Sequence, residues 1–315
     1  MLGYFMELTP QVIKEQELNI EQAIQQAEGL FRTMDITDST RDDYLKRLPV
    51  FLEFIKSNGL NINTYLDFKR YLGNLPYYSI STKNKYLTTA RIFLKELNRI
   101  GKLPQDITQN IKCFRQNQKH KKDGITQEEI DTIMQKVAGM KVSKDSTRLK
   151  AILSLLALQG LRQVEVVRLD VKDIDLVGKT AQILGKGRDD KEMINLHPET
   201  VKALKEYMDY WKVKDGALFI SNSGNSKNSR LTTRSIRGIV KELLDSLEID
   251  KTTHGFRHYF TTTLIKTYKG DLTQVSRYTR HKSLEMLQVY NDRIITQKDL
   301  PRYYRAFKGV SFNFS

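Results

Sequence analysis

Apolar residues recur at helical spacing through the first third of the chain and predict helices from about residue 20 to 113. Ser39-x-x-Asp42 resembles a capping box. Behind it Tyr44, Leu48, Phe51, Phe54 and Ile55 form one stripe, which Gly59 stops. A helix over residues 64–72 is predicted next, ending ahead of Leu75-Pro76. Another begins near Ser79, with Tyr86, Leu87, Ala90, Phe93, Leu94 and Leu97 on one face. Lys83, Lys85, Arg91 and Lys95 lie on its other face, either as a solvated surface or as one turned toward a polyanion. Residues 115–123 (RQNQKHKKD) hold no apolar side chain and read as an exposed basic connector. The helical pattern resumes behind Gly124-Ile125, where Thr126-x-x-Glu129 is a second capping box.

The second half mixes periods. Residues 149–159 are apolar almost all round and predict a buried helix, with Gly160 as its stop. Residues 180–184 and 192–196, around the turn 185–190, predict a β-hairpin. Helices are predicted over 198–211 and 232–247, with a short strand at 218–220 and a polar loop at 221–230. Phe256, Phe260 and Leu264 mark a further helix that carries Arg257, and Met286, one turn before Tyr290, places that tyrosine on a short helix.

Charge narrows the partners. The 52 Lys and Arg outnumber the 37 Asp and Glu, leaving +15 on 315 residues, a balance that favours nucleic acid first and an anionic membrane surface second. The most apolar run, residues 151–161, is about half the roughly 20 residues a spanning helix needs, so no membrane partner is expected. The start lacks a signal-peptide pattern, and Cys113 is the single cysteine, which fits a reducing cytosol and a packing role. A soluble, cytoplasmic, nucleoid-associated protein is expected.

Six residues carry the candidate chemistry: Arg162, Lys186, His254, Arg257, His281 and Tyr290. Taken singly each has an ordinary reading: a surface arginine with Glu165 as partner, a solvated hairpin lysine, a core tyrosine among 15. His254 and His258, four apart on one helical face, would suit a metal, but the second position of an HExxH motif is Gly255 here, and no metal site is expected. Taken together, two guanidiniums can clamp phosphate oxygens, a lysine and histidines can move protons, and a hydroxyl can attack.

In order and spacing these residues resemble the tyrosine recombinase (phage integrase) family: Arg, a hairpin Lys, His-x-x-Arg, His, then Tyr nine residues on. Thr40, Tyr44, Leu48 and Phe51, with Thr82, Tyr86, Leu87, Ala90 and Phe93, are similar to the family's helical DNA-binding pattern. The resemblance covers roughly residues 20 to 295. It implies a mostly α fold: a helical N-terminal core-binding domain and a mixed α/β catalytic domain, mainly helical with a small antiparallel sheet, forming a C-shaped clamp on DNA. The implied division is an extension at 1–19, the core-binding domain at 20–113, a basic linker at 114–123, the catalytic domain at 124–295 and a tail at 296–315. Leu300, Tyr303, Tyr304, Phe307, Val310, Phe312 and Phe314 would pack that tail on its own domain or on a neighbouring protomer.

The resemblance further implies cutting and rejoining of double-stranded DNA at paired recombination sites, without metal, ATP or other cofactor. Tyr290 would attack to give a 3′-phosphotyrosine, Arg162 and Arg257 would stabilise the phosphate, and Lys186 would protonate the leaving oxygen. His254 would accept the tyrosine proton and His281 would bond the phosphate. A homo-tetramer working through a Holliday junction is implied, with accessory DNA-bending proteins as further partners. Lys83, Lys85, Arg91, Lys95, Lys119, Lys121, Lys122 and Arg280 are the expected DNA-binding cations. The pattern's start near residue 20 favours a compact Xer-like or mobile-element recombinase, for integration and excision or for dimer resolution. A type IB topoisomerase and a non-catalytic DNA-binding regulator on the same scaffold are the alternatives. Val164, Phe256 and Arg280 stand where the family usually has Gly or Ser, Leu, and Gly.

Overall fold

The computed structural model of the protein describes residues 20–116 and 124–308, apart from 186, 188, 223, 225, 226, 282 and 307. Two compact units divide between Asn117 and Gln118. The expected extension at 1–19, most of the basic linker, and Phe307, Val310, Phe312 and Phe314 of the tail lie outside the described residues.

The first unit holds α1 (Ile20–Arg32), α2 (Asp38–Asn58), α3 (Thr64–Asn74) and α4 (Ile80–Arg99). Helix α2 starts earlier than the Ser39 box implies: Thr37 is the cap, its hydroxyl accepting from Thr40 N at 3.4 Å, with Asp38 in the first turn where the helix dipole favours an acid. The helix continues through Pro49, which burial of Leu48, Phe51, Leu52 and Ile55 offsets, and Gly59 ends it at φ 73°. Phe51 meets Phe68 edge-on at 4.8 Å and Phe93 at 6.4 Å, joining α2, α3 and α4 in one aromatic core.

The second unit opens with α5 (Gln127–Ala138), where Thr126 and Glu129 form the reciprocal capping box at 3.2 and 2.8 Å. Helix α6 (Lys144–Ala157) is buried on most sides and packs on α8 (Pro198–Trp211). Between them in chain order come α7 (Gln163–Arg168) and a three-stranded antiparallel sheet of β1 (Ile174–Asp175), β2 (Thr180–Leu184) and β3 (Lys191–Asn195). Strand β2 turns Ala181 and Ile183 inward and pairs with β3 from Thr180↔Asn195 to Leu184↔Lys191. The two-residue β1 is too short to show an alternation. At the strand predicted over 218–220 the structure has isolated bridges instead, Asp170 to Ala217 and Ile220 to Arg230.

The remaining helices are α9 (Thr233–Ser246), α10 (Thr253–Thr267), α11 (Leu272–Thr279) and α12 (Leu284–Ala306). Helix α12 is 23 residues long, not the short helix expected around Tyr290, and it crosses the boundary placed at 295/296 without a break. Ile265, Val275, Leu287, Tyr290 and Ile294 form a satellite core that locks α10, α11 and α12 together.

Gly160 is fixed by its surroundings. Its φ is 58°, and a Cβ there would lie 2.2 Å from the Phe260 ring. Gly160→Ala is therefore expected to cost about 2–4 kcal/mol, combining the left-handed backbone with overpacking. Denaturant unfolding of the two proteins checks this; a loss below about 0.5 kcal/mol, the range of ordinary surface changes, would show that the site relaxes freely.

Candidate active site and nucleic-acid interface

Helix α6 runs into Gly160 and Leu161, and the chain then delivers Arg162 as the cap of α7. Glu165, 1% exposed, fixes it twice: Oε2 accepts from Arg162 N at 2.9 Å, and Oε1 accepts from Nη1 at 2.8 Å. The Arg162 side chain keeps 30% of its surface open, so it can still reach a ligand. Burial alone would raise the Glu165 pKa, but Arg280 and the Arg162 backbone and guanidinium outweigh it and hold the carboxylate ionised.

Arg257 comes from the first turns of α10 and is almost wholly buried. Its guanidinium donates to two main-chain carbonyls, Gly160 O and, at 2.6 Å, Thr279 O. It is thus held by the stop of α6 and the end of α11. Desolvation, then the nearby Arg162 charge, lowers its pKa to about 10, which leaves it cationic at neutral pH.

Tyr290 projects from α12 into the same region. Its ring centroid is 5.0 Å from that of His258 and 6.3 Å from that of His281, and His258 in turn meets His254 at 4.8 Å. Burial raises the Tyr290 pKa, while Arg257 and Arg162 pull it back. The structure thus brings Arg162, Arg257, His281 and Tyr290 within electrostatic reach, with His254 against His258 and within electrostatic reach of His281. From sequence alone His258 stands out only as half of a possible metal pair. Its spacing of four from His254, on the helix of Arg257, was the available sign. Among the described residues no group of three or more His, Cys, Asp or Glu is gathered to hold a metal ion.

His281 is pushed down to about 3, first by burial, then by the charges of Arg257, Arg162 and Arg280 and by His254. The imidazole is therefore neutral at pH 7, and its Nδ1 is buried without a hydrogen-bond partner among the described residues. Between the folded value of about 3 and the unfolded 6.5, the unfolded chain binds the extra proton. The stability this group contributes is present above pH 6.5 and is lost as pH falls toward 3. The His281 Cε1–H resonance is expected to stay still from about pH 8 to 5; movement centred near 6.5 would mean an open, hydrated ring.

Lys186 lies outside the described residues, as do Lys119, Lys121 and Lys122. The strands on either side of Lys186 end at Leu184 and begin again at Lys191. Three expected DNA-binding cations are committed elsewhere. Lys83 is buried and its Nζ donates to Gly73 O at 2.8 Å, closing the end of α3. Arg91 donates to Ile111 O and lies over the Tyr65 ring, 5.3 Å from its centroid. Arg280 is buried against Glu165, its Nη2 donating to Oε2 at 3.1 Å. Each inward turn gives a hydrogen-bond donor to a main-chain carbonyl or adds one to a buried carboxylate. Lys85 and Lys95 are exposed, Lys95 standing 3.7 Å from Asp106.

Residues 124–294, more than half of the chain, match the model of the phage integrase family. The chain belongs to the phage integrase family, that of the tyrosine recombinases. It is 33% identical to tyrosine recombinase XerC of Shewanella amazonensis over 169 residues, 51% of this chain and 52% of that protein, so the match spans about half the relative's length. XerC of Oceanobacillus iheyensis is 28% identical over 265 residues, 78% of this chain and 83% of that protein. The crystal structure of XerH site-specific recombinase bound to difH substrate, a pre-cleavage complex, shares the fold at a TM-score of 0.64. There the identity is 19%, with 90% of this chain and 97% of that one covered. Among the described residues no helix is long and apolar enough to cross a membrane.

Proposed function

We propose that the protein is a site-specific DNA recombinase that cuts and rejoins double-stranded DNA through a tyrosyl phosphodiester. The observation that carries this reading is the convergence of two held guanidiniums, Arg162 and Arg257, on one buried tyrosine, Tyr290. A tyrosine with a raised pKa is a poor nucleophile until a base and a positive site assist it. Arg162 and Arg257 stabilise the charge growing on the non-bridging oxygens. His254 takes the phenolic proton, and neutral His281 donates a hydrogen bond to the phosphate. The Tyr290 Oη–P bond forms as the P–O5′ bond breaks, and Lys186 protonates the departing 5′-oxygen. Attack by another strand's 5′-hydroxyl reverses each step. One phosphodiester replaces another, so the exchange needs no fuel.

In this reading residues 20–113 are the core-binding domain, 114–123 a linker and 124–295 the catalytic domain. Lys85, Lys95 and the linker lysines 119, 121 and 122 meet the DNA backbone. Four protomers act on paired sites through a Holliday junction, in the cytoplasm at the nucleoid, with accessory DNA-bending proteins as further partners. The tail beyond residue 295 docks on a neighbour.

Nicked fragments of the DNA flanking the protein's own gene, incubated with it in EDTA, test the reading. An SDS-resistant adduct whose DNA-linked peptide contains Tyr290 is the expected result. Linkage through another residue would overturn the assignment, and specific binding with no adduct would make the protein a DNA-binding regulator.

A further inference from the structure

Arg280 ends α11 in the left-handed conformation, at φ 54° and ψ 39°. Glycine adopts this geometry freely, whereas an L-residue takes it only against steric resistance. The side chain is 5% exposed, so it does not lie on the surface. Nη2 instead reaches Glu165, 115 residues earlier, at 3.1 Å.

Glu165 thereby serves three donors: Arg162 N and Arg280 Nη2 on Oε2, and Arg162 Nη1 on Oε1. In a site this dry, one carboxylate facing one guanidinium would cancel its charge. With two guanidiniums on the carboxylate, the cluster keeps one net positive charge. Arg162 is the member with open surface, 30% against 5% for Arg280, so that charge is presented through Arg162.

We infer that Arg280 is a positioning residue: by sharing Glu165 it fixes the carboxylate and leaves Arg162 cationic toward a DNA phosphate. The inference rests on the reading that Arg162 contacts the scissile phosphate. The competing role, a mere stop for α11, makes the opposite demand, because glycine would fill it better.

The test uses the full chain, a nicked DNA substrate and single-turnover adduct formation, with DNA affinity measured in parallel. Arg280→Gly removes the charge and relieves the backbone. It is expected to slow adduct formation about 10–100-fold, less than the loss of a direct contact, with DNA affinity changed under about threefold. Glu165→Gln combined with Arg280→Gly restores the net charge and is expected to recover at least about tenfold of that rate. Arg280→Lys keeps a cation near Oε2 and is expected to fall between wild type and Arg280→Gly. Thermal unfolding of each variant separates a folding loss from a catalytic one. Arg280→Gly as fast as wild type, or a double variant no faster than Arg280→Gly, overturns the inference and leaves the recombinase reading intact. Wild type forming no adduct overturns that reading, and with it the inference.

Discussion

Tyr290→Phe is expected to fold, to bind DNA as the wild type does, and to form no SDS-resistant adduct. The ring sits in the small core of Ile265, Val275, Leu287 and Ile294, and phenylalanine fills the same space. Its stability should stay within about 1 kcal/mol of wild type, since only a hydroxyl is removed. On the proposed mechanism the attacking oxygen goes with it, and loss of a nucleophile is worth at least about 10⁴-fold in the chemical step. Quantifying covalent adduct on a nicked substrate, with binding measured on the same DNA, gives both halves of the result. Adduct at wild-type yield would remove Tyr290 from the mechanism.

Arg257→Ala should fail in two ways at once. The guanidinium donates to Gly160 O and Thr279 O, both well inside the second unit. Its loss leaves two buried carbonyls without donors, at about 1–3 kcal/mol each. On the proposed mechanism it also removes one arm of the phosphate clamp, expected to slow adduct formation about 10²–10³-fold. Arg257→Lys separates these losses. An ammonium keeps the charge but cannot bridge two carbonyls and a phosphate as the planar fork does. Lysine should therefore recover part of the stability and little of the rate, as read by unfolding and by single-turnover cleavage. Full recovery of the rate by lysine would mean that charge alone, without bidentate geometry, is what the site supplies.

Where one apolar face decides an element, the chain could be read directly. Helix α8 has the bounds its spacing predicts, Pro198–Trp211, and Thr126 and Glu129 cap α5 as their separation implies. The β2–β3 hairpin follows from alternation around a polar turn. What stayed illegible depends on partners distant in the chain. Lys83 finds a carbonyl 10 residues back, Arg91 one 20 residues on, and Arg280 a carboxylate 115 residues back. Spacing along α4 says which side Lys83 and Arg91 leave from, not whether an acceptor waits there. The length of α12 was hidden for a similar reason. In its second half Leu300, Tyr303 and Tyr304 keep helical spacing, but both tyrosines stand exposed, so no buried face decides the element, and Pro301 lies inside a helix that continues to Ala306.

The setting of Tyr290 also bears on how such an enzyme could be restrained. Leu287 and Ile294 flank it on α12, both buried, one turn before and one turn after. Retracting the tyrosine would drag both into water, at about 1.5–3 kcal/mol each. A withdrawn conformer would then hold about one molecule in a hundred or fewer. If Tyr290 is the nucleophile, as proposed above, it is in this sense pre-loaded before any substrate arrives. Restraint falls to the arrival of the phosphate and of the groups that must escort its protons.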